Sequence, residues 1–268
     1  MKRTLLVTVF AGAILLSMQV THAQIYREVF GNNTAVNQNV TTVGWVGAYG
    51  AVGAGPSSLG GAYTNNFGIS SVLGDPQNLD NINAGGAALS TANGLLFTSG
   101  GVMATANWIA YTTGYTVDTT ANPIQDISFY AGSAANGAVI PGFRIAVQID
   151  GNWYATSQVF ANTVAVASAA NFNTLAQQET FTWTTAASAW DSLTFVPGTS
   201  LVLGSTLVSP LPGDNITAFG LYSDAETGGG ATRRFDTYQI DTVPEPGSVV
   251  LALFGAGVLM SLRRSRKA

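Results

Sequence analysis

Between residues 25 and 240 the chain repeats one pattern: short runs of branched and aromatic residues, with apolar and polar positions alternating, set between clusters of Gly, Asn, Asp, Ser and Thr. A period of two is the signature of a half-buried β-strand, and the intervening residues are those that tolerate turns. The pattern predicts strands over 25–30, 43–49, 67–73, 95–98, 127–130, 143–149, 153–160, 179–183, 190–196, 216–222 and 233–240. The stretch 104–117 reads as one long strand, or as two with a kink at Gly114. The clearest alternation is Phe143, Ile145, Val147 and Ile149, followed by Asp150-Gly-Asn152, which suits a tight hairpin turn into Trp153 and Tyr154. The run from Ile216 to Tyr222 is apolar on both parities, as a central strand covered on both faces requires. In the last strand the alternation breaks between Asp236 and Tyr238, which predicts a bulge or an edge position.

About a dozen short strands and no convincing amphipathic helix argue for an all-β antiparallel sandwich. The stretches Gly151-Asn-Trp-Tyr154, Phe219-Gly-Leu-Tyr-Ser-Asp224 and Arg234-Phe-Asp236 resemble strands of jelly-roll, lectin-like (concanavalin-like) and carbohydrate-binding modules. That resemblance implies a sandwich in which the first and last strands lie side by side.

The two ends of the chain break the pattern. Lys2 and Arg3 precede an apolar run from Leu5 to Leu16, and Thr21-His-Ala23 supplies a small-residue cleavage site before Gln24. This is the layout of a secretory signal peptide, 1–23, whose apolar part is a signal helix. At the other end Val243-Pro-Glu-Pro246 precedes an uncharged stretch from Gly247 to Leu262 and then Arg263, Arg264, Arg266 and Lys267. Pro244 and Pro246 withhold backbone N–H groups and keep Glu245 extended, so this peptide joins neither helix nor sheet. The sixteen residues that follow, at ~1.5 Å each, would make a helix of about 24 Å, just short of a ~30 Å hydrocarbon core. The basic end would hold its C-terminus on the cytoplasmic side.

Pro-Glu-Pro motif, hydrophobic segment and basic tail together resemble the PEP-CTERM sorting signal of bacterial envelope proteins. The resemblance implies domains 1–23 (signal peptide), 24–242 (β-sandwich) and 243–268 (sorting signal with a single transmembrane helix). It also implies signal peptidase and exosortase as partners and a transient stay in the inner membrane of a Gram-negative-type bacterium. The protein then ends secreted or at the cell surface, within extracellular polysaccharide or biofilm matrix.

Charge changes the picture once the ends are set aside. Only Arg27, Arg144, Arg233 and Arg234 remain against all fourteen acidic residues, a formal −10 between positions 24 and 245. Such a surface disfavours nucleic acid, which needs a cationic face. Cysteine is absent and the one histidine, His22, falls in the signal peptide. The mature chain therefore has neither disulfides nor a thiol nucleophile, imidazole base or soft metal ligand.

Three constellations remain. Among the aromatics, which can stack on sugar rings but more often fill the core, Tyr49 and Tyr154 are the ligand-binding candidates expected at the surface, because each alternates with an apolar neighbour that points inward. Glu28 on the first strand with Asp236 or Asp241 on the last is a candidate structural calcium site, with Asp224, Glu226 and Gly228–Gly230 as a looser one. The glutamates Glu28, Glu179 and Glu226 form no tight acidic pair of the kind glycoside hydrolysis uses. The reading is a non-enzymatic exported matrix protein without a required cofactor; the alternatives are a carbohydrate-binding module with a defined glycan site and, behind it, a glycoside hydrolase.

Overall fold

Fifteen strands lie among the described residues of the computed structural model, which are 23–31, 38–51, 57–58, 67–69, 96–98, 106–112, 114–134, 142–160, 175–224 and 232–243. They are β1 (Ala23–Glu28), β2 (Trp45–Ala51), β3 (Ser57–Ser58), β4 (Phe67–Ile69), β5 (Leu96–Thr98), β6 (Ala106–Thr112), β7 (Val117–Asp118) and β8 (Ile124–Ala134). The remainder are β9 (Phe143–Ile149), β10 (Asn152–Thr156), β11 (Gln177–Thr182), β12 (Trp190–Val196), β13 (Ser200–Thr206), β14 (Asn215–Ser223) and β15 (Thr232–Thr242). The chain divides into two units, residues 24–241 and residues 1–23 with 242–268. The expected signal helix and C-terminal membrane helix lie outside the described residues, among which no helix is long and apolar enough to cross a membrane.

One sheet of six strands has the order β11-β8-β15-β5-β4, with β1 also on β15; the other, of nine, runs β13-β12-β10-β9-β14-β6-β2-β3, with β7 on β14. The fold is a jelly-roll-like antiparallel β-sandwich, and the first and last strands pair as expected of one. The β9–β10 hairpin turns at Asp150 (φ 51°) and Gly151 (φ 79°), a two-residue loop with both residues in the left-handed region. Strand β14 lies between β9 and β6 and is covered on both faces. The stretch around Gly114 does break into two strands, β6 and β7.

Aromatic rings join the sheets. Phe143 of β9 meets Phe235 of β15 at 4.5 Å between centroids, Tyr26 of β1 meets Phe219 of β14 at 4.7 Å, and Phe181 of β11 meets Trp190 of β12 at 5.3 Å. Trp45, Trp108 and Trp190 are all core residues, no more than 1% exposed. Two of their indole N–H groups are satisfied in the interior: Trp45 Nε1 donates to Tyr26 Oη at 2.8 Å and Trp190 Nε1 to the Thr184 carbonyl at 2.7 Å.

The nine-stranded sheet is rolled. Strands β6 and β13 are five steps apart in its order, about 24 Å on a flat sheet at ~4.8 Å per step. Yet Asn107 Nδ2 of β6 donates to the Leu201 carbonyl of β13 at 3.1 Å. The inside of the roll holds a second apolar cluster, separate from the inter-sheet core, in which Ala48, Ala146, Ala155 and Ala218 supply a floor of small side chains. Small residues let the sheet bend sharply without crowding its concave face.

Candidate functional site on the rolled sheet

The inner face of the roll is lined at one end by rings. Trp153 of β10 lies 4.9 Å from Tyr111 of β6 and 5.6 Å from Phe195 of β12, and Tyr111 and Phe195 are 5.5 Å apart, all edge-to-face. Trp153 is buried while Tyr111, Phe195 and Leu203 are half-exposed, so the trio forms a wall and not an open stacking platform.

The other part of this face is polar and centres on Arg144 of β9. Its Nη1 donates to the Thr156 carbonyl (2.6 Å), the Ser157 carbonyl (3.1 Å) and Asp191 Oδ2 (3.0 Å). Asp191 Oδ1 in turn accepts from Ser157 Oγ (2.6 Å) and Thr206 Oγ1 (2.7 Å), which ties β10, β12 and β13 to one carboxylate. On the far side, Tyr222 Oη donates to Asp224 Oδ1 at 2.7 Å, and Asp224 Oδ2 stands 3.8 Å from Arg144 Nε. Burial, and then the adjacent Asp224 carboxylate, push the Tyr222 phenol well above its ordinary value, so it stays a neutral donor. Registers explain the gathering: Arg144 faces Tyr222 across β9–β14, and Ala155 faces Asp191 across β10–β12.

The residues expected from the sequence lie elsewhere. Tyr154, expected to face solvent, is only 9% exposed and packs into the inter-sheet core; its phenol is pushed up by burial and then by the charge of Asp150. Both faces of β10 are covered, so alternation with an apolar neighbour does not turn either residue outward: Trp153 enters the roll and Tyr154 the core. Tyr49 is half-buried against the same inter-sheet core, on the opposite face of β2 from the roll. Neither tyrosine lines the rolled face.

The carboxylates chosen for calcium each accept a hydrogen bond from the protein. Glu28 is buried and its Oε1 accepts from the Phe30 N–H at 2.7 Å, supporting Phe30 at φ 48°. Asp236 Oδ1 accepts from the Thr237 N–H at 2.6 Å, and Asp241 Oδ2 accepts from Gln239 Nε2 at 2.7 Å. Although β1 and β15 pair, no three or more His, Cys, Asp or Glu side chains among the described residues are grouped to hold a metal. Of the looser set, Asp224 belongs to the Arg144 network, and Glu226 and Gly228–Gly230 lie outside the described residues. Glu179 is half-buried on β11 opposite Phe129, and burial raises its carboxyl above the ordinary range.

Sequence reasoning missed Arg144, Asp191 and Tyr222. One signal was present: Arg144 is one of four cations left in the body and lies on the polar parity of the cleanest alternating strand.

At the end of the body, β15 closes on Thr242, which is buried, and Val243 is 48% exposed. Pro244, Glu245 and Pro246 lie outside the described residues. Residues 242–267 match the family model of the PEP-CTERM protein-sorting motif. The tail is a PEP-CTERM sorting motif. It implies export, processing by an exosortase and a final place that is secreted or at the cell surface. No curated protein matches the chain. Among solved structures, the CBM22-1 xylan-binding domain from Paenibacillus barcinonensis Xyn10C is similar at 13% identity, over 84% of this chain and 97% of that one, with a TM-score of 0.30.

Proposed function

We propose that this PEP-CTERM protein is a non-catalytic component of the bacterial cell surface or extracellular matrix, where its β-sandwich associates with extracellular polysaccharide. The observation that carries the reading is the sorting motif at 242–267 directly after an acidic all-β body. Residues 1–23 act as the signal peptide in this reading, and 243–268 hold the precursor in the inner membrane until an exosortase cuts near Pro244-Glu-Pro246.

The test is localisation in a host that carries an exosortase. Wild type should be found in the surface or matrix fraction with its tail shortened by mass spectrometry. The Pro244→Ala/Pro246→Ala double variant should stay at full length in the membrane fraction. An identical distribution of both, with the tail intact, would refute the reading. A second reading, a carbohydrate-binding module with a defined glycan site, is favoured by the charged and hydroxylated end of the rolled sheet.

A further inference from the structure

We infer that the Arg144–Asp224 end of the rolled sheet is a binding site for a neutral polyol, a sugar presenting two neighbouring hydroxyl groups. The inference deepens the polysaccharide reading and takes from it only the choice of a sugar among polyols.

Arg144 holds unspent donors. A guanidinium carries five N–H donors. Every hydrogen bond of Arg144 leaves from Nη1, whereas Nε is buried without a hydrogen-bond partner, its nearest carboxylate oxygen being Asp224 Oδ2 at 3.8 Å. A largely buried cation gains from each further acceptor that reaches it, because its unpaired donors have lost water without replacement. Nε itself is sealed from solvent, but the rim of the site is open: the Arg144 side chain is 13% exposed and that of Asp224 45%. The donor is fixed before any ligand arrives, since two backbone carbonyls and Asp191 hold Nη1, and Ser157 and Thr206 hold Asp191.

Charge decides the class of ligand. One guanidinium stands between two carboxylates, in a body whose acidic residues far outnumber its cations. An anionic ligand would meet net repulsion. A hydroxyl is neutral and both donates and accepts. Of two adjacent hydroxyls, one accepts from the Arg144 guanidinium while the other donates to the Asp224 carboxylate, whose Oδ1 is oriented by Tyr222.

The experiment is affinity electrophoresis of the full chain in detergent through gels containing dextran, mannan or xylan, with the polyuronate alginate as anionic probe. Wild type should be retarded by at least one neutral polymer and not by alginate. Asp224→Asn, at a half-exposed position outside the strand ladder, should keep the wild-type melting temperature and weaken retardation at least tenfold. Arg144→Lys should weaken it as well. Retardation of Asp224→Asn equal to wild type would overturn this site while leaving polymer binding elsewhere intact. Absence of retardation in all three neutral polymers, or retardation by alginate alone, would overturn it too. Localisation of the same variants separates these failures from that of the surface-matrix reading, since Asp224→Asn should still reach the surface fraction.

Discussion

Phe235 and Tyr238 are three positions apart on β15, yet both point into the inter-sheet core, because Thr237 between them sits at φ 52°. On a regular strand an odd spacing puts two side chains on opposite faces. The left-handed residue resets the parity, so that Phe235 and Ile240 share one core although five positions separate them. A β-branched residue rarely adopts this conformation, and the Thr237 hydroxyl is buried without a hydrogen-bond partner. Thr237→Gly removes both penalties, leaves the Thr237 N–H bonded to Asp236, and adds the entropy cost of glycine in the unfolded chain. The expected net is a gain of about 1 kcal/mol, read from urea denaturation. A loss of stability would show that the methyl and hydroxyl packing outweighs the backbone strain.

Gly220 is required for the opposite reason, close approach. On β14 it faces Tyr111 of β6, and a Cβ there would overlap the Ala110 carbonyl and stand 2.6 Å from Tyr111 Cα. The obstacle is backbone, which cannot swing aside as a side-chain end can. Gly220→Ala should therefore cost about 3 kcal/mol or more, at the upper end of overpacking penalties, and should separate β14 from β6 at the bend of the roll. Thermal unfolding checks the first part. Hydrogen exchange at the Ala110 and Tyr222 amides, slower in wild type than in the variant, checks the second.

Most of the strands were legible in the sequence. The hairpin at Asp150-Gly151, the kink at Gly114, the central β14 and the irregularity at Thr237 all follow from local alternation and turn chemistry. Where both faces are covered, alternation carries no direction, which is why Tyr154 was expected at the surface and lies in the core. Strand β13 was not foreseen: Ser200–Thr206 follows a Pro-Gly turn with Leu201 and Leu203 inside the roll, and its pattern is short and weak. The site was less legible than the fold. Arg144, Asp191 and Asp224 are far apart along the chain and converge only because the sheet curls and the β9, β10, β12 and β14 registers align. The sorting tail was fully legible because its meaning lies in linear order.

Glu179 offers a test of how burial acts on a single carboxylate. It sits on the same parity of β11 as the core residue Phe181, and burial raises its pKa. A raised folded value means that the native state holds the proton more tightly than the unfolded chain. The associated stabilisation is complete below the unfolded value of ~4.3 and is lost as pH rises through the folded one. Glu179→Gln mimics the protonated form at every pH. At pH 7 it should melt above wild type, and the difference should vanish near pH 4. Equal melting temperatures across that range would place the carboxylate in effectively aqueous surroundings.

Asp191 is the residue on which the polar end of the roll depends most. Its two oxygens accept from Arg144, Ser157 and Thr206, and its side chain is only 10% exposed. Removing it leaves a largely buried guanidinium with carbonyl partners and, as its remaining counter-charge, only the half-exposed Asp224 carboxylate 3.8 Å from Nε, a loss approaching the about 3–5 kcal/mol of a broken buried pair. Asp191→Ala should show a destabilisation of that order in chemical denaturation, and Asp191→Asn less, because its amide oxygen still accepts from the two hydroxyls. The decisive comparison is the pair. If the penalty arises from a stranded charge, Arg144→Met combined with Asp191→Ala should be less destabilised than Asp191→Ala alone, since no buried cation remains to be compensated. If the double variant instead loses the sum of both single losses, the contribution of Asp191 lies in its hydroxyl contacts with β10 and β13, and Arg144 is held in place chiefly by the Thr156 and Ser157 carbonyls.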